Sequence, residues 1–237
     1  MRFVQPVLAY MLLGGTLAAC GGGGVLDPGA GDDPGTGSLT LQVDADVNAR
    51  PIVTNAQREE SFTTEFHVRV QKDAVDVTTG TVTVRSRGGD VALIYGADNR
   101  WHGAQAGYWE VYELAVESGT DFVDGVRVDG PALHYFSAPL PGATLDSLIA
   151  QPITWKRGEA ADQITLDTDK IDELTIADTG SFSLPAGSLK SKADGVEQER
   201  IRLDRYATVI PTGAVGGSQM RVQVRNEVEV LVQATGL

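Results

Sequence analysis

Cysteine, histidine and positive charge are all scarce in this sequence. One cysteine among 237 residues cannot form a disulfide within the chain, so no disulfide framework holds the fold together. No apolar stretch approaches the ~20 residues that a membrane-spanning helix needs. The 19 Lys and Arg residues are outnumbered by 32 Asp and Glu residues, which gives a net charge of −13. Because an acidic surface repels phosphate groups, this charge disfavours nucleic acid as a partner.

The first twenty residues follow the order of an export signal. Arg2 supplies a positive start, residues 7–13 form a short apolar stretch, and small residues precede Cys20. Leu17-Ala18-Ala19-Cys20 resembles the lipobox of bacterial lipoproteins. This resemblance implies removal of residues 1–19, a diacylglyceryl thioether on Cys20 and acylation of the new N-terminus with a fatty acid such as palmitate. Several acyl chains together would anchor the protein stably to a membrane.

The residues after Cys20 bear on where such a protein would go. In diderm members of the lipoprotein family, Asp at the next position favours retention at the inner membrane, so Gly21 implies sorting to the outer membrane. Residues 20–38 are dominated by glycine, proline and aspartate, and we expect them to form a flexible tether. The alternative to the lipobox is an ordinary secretory signal in which Cys20 occurs by chance.

Apolar and polar residues alternate with a period of two through most of the remaining chain. The alternation is clear from Leu39 to Val47 and again from Phe62 to Val70, and it is typical of half-buried strands. Many short strands rich in β-branched residues, separated by turns containing glycine, proline or aspartate, predict an all-β fold built from β-sandwiches.

A domain boundary is indicated near residues 139–142. Two prolines within three residues interrupt strand ladders at this point. We therefore expect two tandem sandwich modules, residues 39–139 and residues 140–237. The alternative is one sandwich whose sheets continue through both segments.

The second segment carries a further resemblance. Residues 153–155, 161–166 and 179–186 are similar to parts of the Ig-like and fibronectin-like modules of bacterial surface lipoproteins. The resemblance implies that Trp155 fills the space between two sheets. It implies a fold and no particular activity.

No catalytic signature stands out in the sequence. There is no G-x-S-x-G motif and no phosphate-binding loop. A zinc site is not expected, because Cys20 is taken up by lipid and the three histidines are scattered: His67 is placed on the polar face of a strand, and His134 is expected to be packed or at an edge. Paired carboxylates for hydrolysis are plentiful, but no spacing selects a pair.

Two segments remain as candidate sites. Four carboxylates fall within seven residues and suggest a Ca²⁺ site or, alternatively, a solvated acidic turn: Asp167, Asp169, Asp172 and Glu173. Ile171 occupies the fifth position, where an EF-hand needs an oxygen ligand. Arg100, Trp101 and His102 lie in a polar, glycine-bounded stretch that we interpret as a loop carrying a recognition patch. The alternative is that Trp101 folds back into the sandwich.

These features together predict a membrane-anchored cell-envelope lipoprotein with no bound cofactor other than the Ca²⁺ considered above. Its soluble part would be a non-catalytic binding or structural module, with an envelope glycan or protein as its partner. The alternative is a hydrolase of envelope polymers that uses dispersed carboxylates.

Overall fold

The computed structural model describes residues 26–234, so Cys20 and the rest of the lipobox lie outside the described residues. The regular secondary structure of the described residues is β-strand, apart from one short 3-10 turn (Glu59–Ser61). The strands are β1 (Asp33–Gly37), β2 (Gln42–Pro51), β3 (Phe62–Lys72), β4 (Val75–Asp76), β5 (Thr81–Ser86), β6 (Gly89–Ala92), β7 (Ile94–Tyr95), β8 (Trp101–Ala106), β9 (Val111–Ser118), β10 (Asp121–Asp129), β11 (Tyr135–Ala138), β12 (Thr144–Asp146), β13 (Gln151–Lys156), β14 (Gln163–Thr168), β15 (Leu174–Thr175), β16 (Ser181–Leu184), β17 (Val196–Val209) and β18 (Gln219–Gln233).

The strands form one large sheet and two smaller ones. The ten-stranded sheet has the order β15-β14-β17-β18-β2-β3-β8-β7, with β12 added to β18 and β4 added to β3. A five-stranded sheet has the order β1-β10-β9-β5-β6, and a three-stranded sheet has the order β11-β13-β16. The all-β class predicted from the alternating sequence is therefore confirmed. Within residues 26–234 there is no helix long and apolar enough to cross a membrane.

Strand β18 shows why the large sheet has two different faces. Every even-numbered residue from Met220 to Val232 is buried, and the odd-numbered residues between them are polar or charged up to Glu229. Since successive side chains of a strand point to opposite faces, the even-numbered residues form one apolar face. Strand β17 pairs with β18 along its whole length, and β2 pairs with β18 in parallel.

Two hydrophobic cores lie side by side on this apolar face. The five-stranded sheet covers the part that contains Met220, Val222 and Val224. The three-stranded sheet covers the part that contains Val228, Val230 and Val232 and encloses Trp155. The prediction that Trp155 fills the space between two sheets is confirmed, because its side chain is buried in the second core.

The two predicted modules are joined through the large sheet. Six apolar residues of the second predicted segment pack in the first core: Ala207, Val209, Ala214, Met220, Val222 and Val224. The parallel pairing of β18 with β2 also links the two segments directly. The large sheet therefore continues through both segments, and a module boundary at residue 139 stays a prediction.

Asn226 lies between the two cores and binds two separate segments. Its amide nitrogen donates to Ala56 O at 2.7 Å and to His134 O at 2.6 Å, and its side-chain oxygen accepts from Ala56 N at 3.1 Å. Because a buried amide needs partners for its polar atoms, these bonds hold the loop around Ala56 and the chain around His134 against β18. His134 is buried beside it, as the sequence predicts.

The prediction that residues 20–38 form a flexible tether is wrong for the C-terminal part of this segment. Strand β1 lies within it and pairs with β10. Gly37 approaches other backbone so closely that an added Cβ would lie 2.3 Å from Gly213 O. Glycine is thus needed here for close packing rather than for flexibility, which composition alone does not distinguish.

Candidate functional site

Trp101 does not form the exposed recognition patch that the sequence suggests. It is the first residue of β8, its side chain is buried in the first core, and its Nε1 donates to Val77 O at 3.1 Å. The Tyr95 ring packs against it edge to face, with centroids 5.5 Å apart. Its neighbours Arg100 and His102 lie on the opposite face, because side chains alternate along an extended strand. The structure thus has the alternative arrangement, in which Trp101 packs into the sandwich.

The outward side chains of β14, β17, β18, β2, β3 and β8 form the polar face of the ten-stranded sheet. Opposite charges on neighbouring strands meet there: Arg225 Nη2 is 2.7 Å from Asp204 Oδ2, and Arg221 Nη2 is 2.8 Å from Asp46 Oδ1. The hydrogen bonds from Arg225 to Asp204 raise the pKa of this arginine. Arg100 joins the same network, with Nη1 3.5 Å from Asp46 Oδ2. The polar face therefore presents paired charges.

At one end of the polar face, His102 lies directly opposite His67. The two residues are register partners on β8 and β3, and their Nδ1 atoms are 3.0 Å apart. The ring planes are nearly perpendicular, at 85°. The sequence indicated a solvated His67, and its polar-face position is as expected. The pairing itself could be found only from the strand register, since 35 residues separate the two histidines.

Each histidine has a carboxylate near its other ring nitrogen. His102 Nε2 is 2.6 Å from Asp98 Oδ1, and His67 Nε2 is 3.7 Å from Glu65 Oε2. The hydrogen bond with His102 lowers the pKa of Asp98. A neutral imidazole has one N–H donor and one acceptor, so a His102 that donates from Nε2 to Asp98 accepts at Nδ1 from His67 Nδ1. Together, these two histidines and two carboxylates form the histidine pair site: Glu65, His67, His102 and Asp98.

A shallow depression borders the histidine pair site. It has a volume of about 470 Å³ and is lined by Glu65, His67, Ile94, Tyr95, Gly96, His102, Gly103 and Ala104. Ile94 is 76% exposed. An added Cβ at Gly96 would lie 2.8 Å from His102 Cδ2, so only glycine lets this backbone pass beside the ring. The depression thus combines apolar surface with two imidazoles.

The four carboxylates considered as Ca²⁺ ligands do not converge on one point. Asp167 Oδ1 is 2.7 Å from Arg202 Nη1, and Asp169 contacts the same guanidinium. Asp172 and Glu173 are exposed in the turn that leads to β15. In residues 26–234 no group of three or more His, Cys, Asp or Glu side chains is arranged to hold a metal ion. Arginine on β17 thus occupies the position that a cation would take, which the local sequence could not indicate.

A second cavity lies where the N-terminal part of the described chain meets the seam between the cores. Its volume is about 430 Å³, and its carboxylates are Asp32, Glu110, Asp129, Glu159 and Asp162. Burial raises the pKa of Glu110. Asp129 Oδ2 accepts from Gly29 N at 2.7 Å, which fixes the N-terminal segment at its rim. This acidic cleft is the place where the structure brings dispersed carboxylates together.

The chain has no match among protein families or curated proteins and only distant matches among solved structures. A solved structure from work on host-cell surface retention of a 1.5-MDa bacterial ice-binding adhesin is 14% identical, with a TM-score of 0.23; the match covers 82% of this chain and 66% of the adhesin chain. A chimeric titin Z1Z2 tandem is 11% identical, with a TM-score of 0.22, and the match covers 84% of this chain and 99% of that one. Both TM-scores are below 0.5, so neither likeness carries information on function.

Proposed function

We propose that this protein is a cell-envelope lipoprotein anchored through lipid on Cys20, and that its β-sheet body is a non-catalytic binding or structural module. The observation that carries the proposal is Leu17-Ala18-Ala19-Cys20 after an apolar stretch, with Cys20 the single cysteine of the chain. Gly21 at the next position supports sorting to an outer membrane. The partner we expect is an envelope glycan or protein.

The length of chain between Cys20 and the β-sheet body supports a role close to the membrane. The N-terminal segment is held from Gly29 onward, where backbone groups bond to Asp129 and to Arg127. The nine residues from Cys20 to Pro28 can span at most about 30 Å, at roughly 3.3–3.6 Å per residue. A lipid on Cys20 would therefore keep the edge formed by β1 within about that distance of the membrane.

The anchor is tested by cell fractionation of Cys20→Ser. We expect the wild-type protein to carry a lipid label and to lie in the membrane fraction. The variant should carry no label and should be released from that fraction. Ala30→Ser, ten residues further on, is the matched control and should behave as wild type. Membrane retention of Cys20→Ser equal to that of wild type would contradict the anchor.

The alternative activity, hydrolysis of envelope polymers, rests on the acidic cleft. A carboxyl group whose pKa is raised by burial, as that of Glu110 is, can serve as a general acid. Purified protein should be incubated with envelope glycans, and both binding and chain cleavage measured. Binding without cleavage supports the module, whereas cleavage that is lost in Glu110→Gln supports the hydrolase.

A further inference from the structure

We propose that His67 and His102 form a two-histidine site for a divalent transition-metal ion of the Cu²⁺, Ni²⁺ or Zn²⁺ class. The site goes beyond the anchored-module function, because binding of a metal ion here requires neither the lipid nor an envelope partner. Imidazole nitrogens suit these ions, whereas carboxylate and carbonyl oxygens suit Ca²⁺ and Mg²⁺.

The separation of the two Nδ1 atoms fits two ligands of one ion. They are 3.0 Å apart on directly opposed residues of neighbouring strands. Two metal–nitrogen bonds of about 2.0–2.1 Å that meet at a right angle place their nitrogens about 2.9 Å apart. The sheet therefore holds the two nitrogens near the spacing that a square-planar or octahedral ion needs for adjacent ligands, with water completing the coordination.

Asp98 directs the proton of His102 away from this gap. It accepts a hydrogen bond from His102 Nε2, so a neutral His102 keeps its lone pair on Nδ1. Glu65 Oε2 lies 3.7 Å from His67 Nε2, beyond hydrogen-bond distance, and its negative charge favours a proton on that nitrogen when a metal ion holds Nδ1. A histidine that binds a metal commonly donates its other ring N–H to a carboxylate, which orients the ring and makes it a stronger ligand.

Without a metal ion, the 3.0 Å contact between the two Nδ1 atoms is a hydrogen bond in which one nitrogen carries the proton. With the His102 proton on Nε2 toward Asp98, His102 Nδ1 accepts this bond and His67 Nδ1 donates it. A metal ion that binds both Nδ1 atoms takes the place of this proton, which leaves to water or moves to His67 Nε2 beside Glu65. The bond from His102 Nε2 to Asp98 is kept in both states.

The surroundings allow an ion to enter and do not repel it. The side chains of His67 and His102 are 32% and 35% exposed, so water and ions reach the rings. The arginines two residues away along the chain are already paired: Arg69 on β3 with Asp76 at 3.0 Å, and Arg100, just before β8, with Asp46 at 3.5 Å. Glu65 and Asp98 add negative charge beside the gap.

The third histidine does not compete for the ion. His134 is fully buried, its Nε2 is 3.0 Å from Leu203 O, and burial lowers its pKa to about 3. Metal binding through imidazole in this chain therefore reports on His67 and His102 alone.

The test is a Cu²⁺ titration of the full chain in mild detergent, purified without a polyhistidine tag. We expect one Cu²⁺ per chain, with a d–d absorption band and an electron paramagnetic resonance spectrum that shows two nitrogen ligands. Zn²⁺ and Ni²⁺ should compete more weakly than Cu²⁺ binds, as the general order of affinities requires. His67→Ala and His102→Ala should each lower the affinity about tenfold or more, and Asp98→Asn, which keeps both rings, about 10- to 100-fold.

The matched control is Asp172→Asn, which removes an exposed carboxylate far from the histidines in the chain and should leave the affinity unchanged. Circular dichroism melting establishes that each variant is folded. Failure of the wild-type chain to bind Cu²⁺ would overturn the proposal. Equal affinity in the wild type, His67→Ala and His102→Ala would overturn it as well, because the ion would then sit on other groups.

Discussion

Arg205 and Asp178 form a buried ion pair beside the seam between the two cores. Arg205 Nε and Nη2 lie 3.0 Å and 2.8 Å from Asp178 Oδ2, and the arginine side chain is fully buried. Arg205 also donates to Ala132 O at 2.6 Å, and Asp178 accepts from Trp155 Nε1 at 3.1 Å. The pair thus connects β17, the segment before β11 and the core of the three-stranded sheet.

Asp178→Asn should destabilise the protein by about 3–5 kcal/mol, because removing one partner of a buried ion pair leaves the other charge uncompensated. Chemical denaturation at neutral pH measures this, with the exposed Asp172→Asn as the control. A loss below about 1 kcal/mol would contradict the role assigned to the pair.

The same pair predicts acid sensitivity. Burial by itself raises the pKa of Asp178, but hydrogen bonds from Ala161 N and Trp155 together with Arg205 outweigh it and lower the pKa overall. A carboxyl group with a lowered folded-state pKa stabilises the protein above its unfolded-state pKa of about 3.9, and this contribution is lost as the pH falls through the folded-state value. The wild type should therefore lose stability steeply below about pH 4, and Asp178→Asn less steeply.

Trp101→Ala should cost about 3–5 kcal/mol of stability through the cavity it leaves in the first core. Arg100→Ala is the control on the adjacent position and should change stability by no more than about 0.5 kcal/mol. Thermal and chemical melting of both variants measures the difference. Equal melting of the two variants would mean that Trp101 is not packed as described.

Glu199→Gln should stabilise the protein at neutral pH by about 1–2 kcal/mol. Glu199 is fully buried, and its carboxylate oxygens have no hydrogen bond of good geometry within residues 26–234. Burial raises its pKa, and the nearby backbone N–H groups of Lys190 and Asp169 offset this only in part. A group with a raised folded-state pKa stabilises the fold below its unfolded-state pKa, and this is lost as the pH rises through the folded-state value. The gain in the free energy of unfolding of Glu199→Gln over wild type should thus be largest at neutral pH and should disappear in acid. A variant less stable than wild type at pH 7 would contradict this.

A fragment of residues 140–237 should not fold cooperatively. It lacks β2 and the five-stranded sheet, so Met220, Val222 and Val224 would face water. The module boundary predicted from the sequence gives the opposite expectation. Circular dichroism melting of the fragment decides between them: a cooperative transition favours the boundary at residue 139, and its absence favours one continuous sheet.

The sequence predicted local structure well where each strand has one buried face. Val43, Ala45 and Val47 alternate with polar residues and are buried as expected. It could not predict which strands meet, because the pairing of β18 with β2 joins residues about 175 positions apart and depends on the whole sheet. The same holds for the histidine pair site.

Trp101 shows a different reason for error. Its neighbours are polar or glycine, so the segment lacks the apolar alternation that would identify a strand. Gly103 on the same inward face has no side chain because an added Cβ would lie 2.4 Å from Leu93 Cδ2. In the sequence, a glycine needed for close packing in a strand cannot be told from a glycine in a loop, so the sequence predicts a loop bounded by Gly103.

Anchoring of the β-sheet body to a membrane by lipid on Cys20 is tested most directly by mass spectrometry of the N-terminal peptide of the membrane-extracted protein. We predict a mature chain that begins at Cys20 and carries the mass of a diacylglyceryl group on sulfur and an acyl group on nitrogen. A mature chain that begins elsewhere, or one in which the Cys20 thiol is free, would contradict it.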